Sequence, residues 1–188
     1  HLGTFGDLGI LSFNGNKTIT TGGGGAILTS NLNLARKALS LISQSKIPHQ
    51  WETKFSSIGF NYRLPGLNAA LGLSQIKKLN KILKAKKKLY QNYKNIFKNF
   101  KELEFFSESG NCKSNHWLNT IILKSNSLSK RNKILKKLNK SGVQARPCWK
   151  LLHRHKQFFN SPKMKLDITE SLERKIINIP SSPIYGLK

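Results

Sequence analysis

The chain has 188 residues, enough for one large domain or one and a half. Its apolar fraction of 38% is low, yet aromatic and branched residues run along the whole length, which excludes wholesale disorder. Basic residues outnumber acidic ones by 33 to 8, giving a net charge of +25.

That charge does not by itself indicate a nucleic-acid binder. Only six of the 33 basic residues are arginines, and arginine's planar fork is what readers of phosphates and bases lean on. Lysine accompanied by abundant Asn and Ile reads as coding bias of an AT-rich genome. A basic nucleic-acid-binding module stays as an alternative from another class; it predicts affinity that falls steeply with salt. No signal peptide is seen, and no apolar run reaches the ~18 residues needed to cross a bilayer. Neither a membrane nor a nucleic acid is therefore expected as a partner. Cys112 and Cys148 lack metal-type spacing and read as reduced thiols of a cytoplasmic protein. The chain opens on His1, not Met, which reads as a piece of a longer protein.

In chain order, "LGILSF" (8–13) and "GAILTS" (25–30) are short apolar runs that predict buried strands, with a glycine block as the turn between them. "NLNLARKALSLIS" (31–43) carries Leu34, Ala38, Leu41 and Ile42 near helical spacing, with Asn31 or Asn33 as the cap. Residues 44–66 have no periodicity and read as a long loop. Loops above about 15 residues in compact domains are usually functional or disordered; Trp51, Phe55, Phe60 and Tyr62 argue against disorder. One long helix is predicted from Leu67 to Phe100, with lysines on its solvated face. Beyond Gly110, "NHWLNTIIL" (115–123) predicts a strand. "SLSKRNKILKKLNKSG" (127–142) predicts a helix capped by Ser and closed by Gly142. "VQARPCW" (143–149) predicts a strand broken by Pro147, and a helix follows around 167–175. This pattern divides the chain into residues 1–66, a bridging helix 67–100, and a small α/β domain 101–188.

One lysine stands apart from the rest. Lys17 lies between the two apolar runs, among small and polar residues, with Gly22 to Gly25 just after it. Lysine becomes a nucleophile where burial or nearby cations disfavour its charged form. The best-known use of such a lysine is a Schiff base with pyridoxal phosphate. The cofactor's phosphate needs hydroxyls and backbone N–H groups close by. Ser12, Thr18, Thr20, Thr21 and the glycines supply them. By composition alone, a lysine at a strand end beside a Gly-rich hairpin explains the stretch equally well.

"GTFGDLGILSFNGNKTITTGGGGAIL" resembles the Schiff-base segment of the DegT/StrS family of sugar aminotransferases, and "IGFNYRLPGLNAALGLSQI" (58–76) resembles that family's second signature segment. "NHWLNTIIL" and "GVQARPCWKLLHRHKQF" look like its small-domain landmarks. The wording "SFNGNKTITTGGGG" is most similar to the subgroup that aminates 4-keto-6-deoxy nucleotide sugars, such as the UDP-bacillosamine and legionaminic-acid pathway transaminases. The resemblance is collinear over essentially the whole chain. It implies the C-terminal portion of a fold-type-I α/β transferase, in which the end of a large mixed-sheet domain joins a small α/β domain. The implied cofactor is pyridoxal 5′-phosphate, and the implied partner is a second copy in a homodimer with shared active sites. The implied substrates are L-glutamate as amino donor and a nucleotide sugar, for surface glycan biosynthesis.

Residue by residue, Lys17 matches the lysine that holds the cofactor and moves the proton. Ser12 matches a hydroxyl on the cofactor's phosphate. Asn61 matches an amide that reaches the neighbouring subunit's phosphate, with Tyr62 and Arg63 beside it; as a bare residue, Asn61 also reads as a turn ahead of a helix. Trp51, Glu52, Arg146, Trp149 and His153 are candidates for the substrate; packing, or a surface ion pair for Arg146, is the alternative. His153 and His155 lack a third ligand nearby, so no metal is expected. Family members have further residues before the lysine segment, including an aspartate that pairs with the pyridine nitrogen. Asp7 lies too close to Lys17 to match it, so these 188 residues alone are expected to be weakly active or inactive. An inactive relative is therefore a further alternative. Dehydratase relatives typically carry histidine at the lysine position, so Lys17 favours transamination over that alternative.

Overall fold

The computed structural model describes every residue except Ser109 and Lys188. The chain divides into two units, His1–Asn80 and the residues from Lys81 onward.

In the first unit, β1 (Gly9–Ser12) and β2 (Gly25–Leu28) form an antiparallel ribbon, with Ser12 opposite Gly25. The expectation that both strands are buried is not met: Ile10 is 70% exposed, and Leu11 and Ile27 are exposed too. A two-stranded ribbon leaves its faces uncovered unless another layer packs on them. Helix α1 (Leu32–Ile42) starts at Asn31, whose side chain accepts from the N–H groups of Asn33 and Leu34. Its apolar stripe of Leu34, Ala38, Leu41 and Ile42 is half-buried.

The long loop contains a small hairpin of its own, β3 (Lys46–Ile47) and β4 (Lys54–Phe55). Fully buried Ser45 organises it. Its carbonyl accepts from the N–H of Ser56, and its hydroxyl pairs with that of Ser57. Gly59 presses against this point so closely that a Cβ there would lie 2.4 Å from the Gln44 backbone.

The predicted single helix of 67–100 is two helices, α2 (Gly66–Lys77) and α3 (Leu79–Phe97). Lys78 separates them: its N–H turns back to the carbonyls of Gln75 and Ile76, which closes the ladder of α2. No glycine or proline marks that break, so periodicity alone runs across it.

The second unit holds an antiparallel four-stranded sheet in the order β5 (Leu103–Phe105), β6 (Asn119–Leu123), β8 (Ile176–Ile179), β7 (Arg146–Pro147). Alternation along β6 sends Asn119, Ile121 and Leu123 to one buried face. Phe105, Ala145, Ile177 and Ile179 complete that core, with Tyr90, Tyr93 and Phe97 of α3 packed on it. Ile134, Leu135 and Leu138 of α4 (Leu128–Lys140) cover it further. The Ser127 hydroxyl caps α4, and Gly142 follows its end in the left-handed region at φ 78°. Pro147 is tolerated because β7 is an edge strand. Helix α5 (Asp167–Lys175) runs directly into β8, the inner strand that sequence patterning did not indicate.

After β8, residues 180–186 are clamped onto α3. The Tyr93 hydroxyl donates to the Pro180 carbonyl at 3.0 Å. Gly186 lies flat on the Ala85 carbonyl, where a Cβ would be 1.9 Å from the oxygen. Lys86 is only 3% exposed, and its Nζ donates to the Ser181 carbonyl at 2.6 Å. Burial pushes the Lys86 amine below the usual lysine range. The folded chain thus binds this proton less tightly than the unfolded chain, and stability from this position rises with pH toward the unfolded lysine value of about 10.4. Relative to Lys86→Met, the wild type is expected to gain at most about 1.4 kcal/mol per pH unit on the alkaline side. Urea unfolding at several pH values checks this; parallel curves for the two proteins would show that burial of the charge is not limiting.

Candidate functional site

Lys17 is half-buried and sits in a turn between β1 and β2. Its N–H donates to the Asn14 carbonyl at 3.0 Å, and the Asn14 side chain accepts from Gly15 N–H at 2.8 Å. The turn is closed at its base. Phe13 carbonyl accepts from both Thr21 N–H and the Thr20 hydroxyl, each at 3.0 Å, and Phe13 N–H donates to Gly24 carbonyl at 2.9 Å. The glycine block serves this closure. Gly22 and Gly24 adopt φ of 81° and 117°, which L-residues with side chains rarely take. A Cβ on Gly25 would lie 2.5 Å from the Leu11 carbonyl oxygen.

Ser12 ends β1, five residues before Lys17. Its Oγ accepts from Asn14 N–H at 3.4 Å, which leaves the hydroxyl proton to donate. A turn bearing an amine, hydroxyls and closely approaching glycine backbone matches what an aldehyde with a phosphate tail requires. The residues present therefore fit pyridoxal phosphate.

Asn61 pairs with Ser43 as an antiparallel bridge, and its neighbours Phe60 and Tyr62 donate to the carbonyls at the end of α1. Asn61, Arg63, Trp51 and Glu52 line one recess of about 610 Å³, together with His49 and Lys46. Trp51 is 77% exposed and meets the His49 ring edge-on at 5.3 Å. Glu52 is engaged by Lys54 at 2.5 Å.

The other three candidates lie in the second unit. Arg146 is on edge strand β7, opposite Asn178. Trp149 is 71% exposed and stacks on Trp117 at 6.2 Å. His153 is turned inward: its Nε2 meets Glu170 Oε1 of α5 at 2.9 Å. Arg154 adds a bond to Glu173 at 2.5 Å, so this segment is strapped to α5. Burial, reinforced by Glu173, raises the Cys148 thiol and keeps it protonated at neutral pH. Neither cysteine forms a disulfide. Among the described residues no group of three His, Cys, Asp or Glu could hold a metal, and no helix is long and apolar enough to cross a membrane.

Sequence reasoning missed Asn68 and Gly72, which meet Thr21 and so join the two signature segments inside the first unit. Asn68 Nδ2 donates to the Thr21 carbonyl at 2.6 Å. The spacing of Asn68 and Gly72, four apart on a helix, was the available signal.

Comparison with known proteins places these residues in a wider frame. The family model described as DegT/DnrJ/EryC1/StrS aminotransferase family matches residues 1–186. EpsN of Bacillus subtilis (strain 168) is 36% identical over 95% of this chain and 46% of its own length. GDP-perosamine synthase of Escherichia coli O157:H7 is 31% identical over 97% of this chain and 49% of its own. Among solved structures, Helicobacter pylori PseC, an aminotransferase involved in the biosynthesis of pseudoaminic acid, superposes with a TM-score of 0.91 at 26% identity. That match covers 99% of this chain and 52% of the PseC chain. The chain thus spans about half the length of the curated relatives it matches. The match of one family model from end to end, across both signature segments and both units, means that the chain belongs to the DegT/DnrJ/EryC1/StrS aminotransferase family.

Proposed function

We propose that the whole protein moves an amino group from L-glutamate to a 4-keto-6-deoxy nucleotide sugar, with pyridoxal phosphate held on Lys17, for a surface glycan. The observation that carries this reading is the Lys17 turn, half-buried and closed at Phe13 and Thr21 within a chain of this family. Relatives named as acting on nucleotide sugars support the substrate class. Residues 1–66 are assigned to the end of the large cofactor-binding domain. Residues 101–188 are assigned to the small domain, with the helical stretch between them as the bridge.

Pyridoxal phosphate supplies an aldehyde that condenses with an amine and a ring that draws electrons from the adjacent carbon. Lys17 Nζ holds the cofactor at rest and takes the proton from Cα of the amino donor. Ser12 Oγ–H donates to the phosphate, supported by main-chain N–H groups of the turn. Asn61 donates its amide to the phosphate bound by the partner in a homodimer. Trp51, Arg146, Trp149 and His153 meet the nucleotide sugar, and the Glu170 contact orients the His153 ring.

The test is twofold. The whole protein with pyridoxal phosphate is expected to show a visible absorbance band that borohydride removes, with the cofactor fixed to the Lys17 peptide. With L-glutamate it is expected to aminate a 4-keto-6-deoxy nucleotide sugar. Absence of the fixed cofactor sinks the reading. Asn61→Ala is expected to weaken cofactor affinity by about 10- to 100-fold, through one lost bond to a charged group. Titration by absorbance reads it, and unchanged affinity would remove Asn61 from the site.

A further inference from the structure

We propose that Asn68 is a positioning residue for Lys17, acting through Thr21. The proposal rests on the reading that Lys17 carries the cofactor. Its physical basis is a rivet at the base of the lysine turn. Thr21 is 4% exposed, and its N–H closes the turn on the Phe13 carbonyl. Its own carbonyl is taken by Asn68 Nδ2 at 2.6 Å, across 47 residues of sequence. The acceptor is a carbonyl, so the amide nitrogen of Asn68 must face it.

Gly72 provides the other jaw. It lies one helical turn beyond Asn68 on the same face of α2. A Cβ on Gly72 would lie 2.8 Å from the Thr21 methyl group. Glycine there lets α2 approach until Asn68 reaches the carbonyl. Gly22 is in range as well: a Cβ there would lie 3.6 Å from Asn68 Nδ2. Thr21 is therefore held at its carbonyl by Asn68 and at its methyl group by the space at Gly72.

The consequence concerns the rate at which Lys17 meets its cofactor. The segment 14–20 has both ends tied at Phe13, Thr21 and Gly24. Freeing Thr21 from α2 loosens one of those ties while leaving Lys17, Ser12 and the β1–β2 pairing intact. A turn that samples more arrangements presents its amine in the reactive one for less of the time.

Asn68→Asp keeps shape and removes the donor at neutral pH. Asn68→Ala removes the side chain. Gly72→Ala attacks the same rivet from the other side and serves if an Asn68 variant does not fold. Amide hydrogen exchange in the cofactor-free protein is the first readout. Exchange across residues 13–24 is expected to rise about 5- to 100-fold in each variant, the effect of one lost buried hydrogen bond. Exchange at Ile121 and Ile177 in the second unit stays as in the wild type. The second readout is the rate at which added pyridoxal phosphate becomes fixable to Lys17 by borohydride. That rate is expected to fall several-fold in every variant, with the final extent of fixation unchanged.

Unchanged exchange over 13–24, or raised exchange with a wild-type fixation rate, overturns the role of Asn68 and leaves the function standing. A wild-type protein that never fixes the cofactor at Lys17 overturns both readings.

Discussion

Lys17→Ala is expected to abolish borohydride fixation of pyridoxal phosphate at residue 17 and to lower amino transfer by at least about 10²- to 10⁴-fold. One amine performs two tasks in the proposed reaction, holding the cofactor and moving the proton, and alanine removes both. Lys17→Arg separates charge from chemistry. It keeps a cation in the turn, yet guanidinium stays protonated and does not condense with an aldehyde. Its activity is therefore expected to match that of the alanine variant. Peptide mapping is essential to the measurement, because a chain of +25 net charge has many other lysines open to adventitious reaction. The turn is tied by main-chain bonds of Phe13, Thr21 and Gly24, none of which uses the Lys17 side chain. Thermal melting of both variants is measured alongside, to separate loss of chemistry from loss of fold. A Lys17→Ala protein that retains full amino transfer would move the chemistry to another residue.

Ile177→Ala carries the largest expected cost in stability. Ile177 is 0% exposed on inner strand β8, opposite Ile121 on one side and Pro147 on the other. Truncation there is expected to cost about 2–5 kcal/mol, against a typical domain stability of about 5–15 kcal/mol. Ile177→Val, which loses one methyl group, is expected to cost only about 0.5–1.5 kcal/mol. Ile168→Ala, in α5 of the same unit, serves as the control: that side chain is 78% exposed, and a change within about 0.5 kcal/mol is expected. Urea unfolding followed by the fluorescence of Trp117 and Trp149, both in the second unit, measures all three. A cost below about 1 kcal/mol for Ile177→Ala would mean that the sheet core does not govern the unit's stability.

Local signals were legible where the physics is local. Asn31, Ser127 and Gly142 mark helix ends by short-range hydrogen bonding and backbone freedom, and each sits at or beside the helix terminus that its residue type suggested. Helix α5 was also legible, although no side chain caps its start at Leu166. Strand β8 was not: "IINI" follows α5 with no breaker, and a short apolar run reads equally as buried strand or helix. Strand β5 is only three residues long, below the length at which alternation shows. The split between α2 and α3 rests on the backbone of Lys78, which no residue type announces. Burial of β1 and β2 was inferred from apolar composition, and composition does not say whether a second layer covers a strand.

The candidate site divides along the same line. Sequence by itself determined the lysine turn: Ser12, Lys17, the threonines and Gly22 to Gly25 fall within fourteen residues, and the left-handed backbone at Gly22 and Gly24 is a local demand that glycine meets. It also determined the family, because two signature segments stand in order along one chain. Tertiary structure alone decided which distant residues meet. Only folding brings Asn61, Arg63 and Trp51 to one recess, turns His153 onto Glu170, and sets Asn68 on the carbonyl of Thr21. Those contacts span up to 47 residues and depend on side-chain packing and helix placement, which local propensity does not encode.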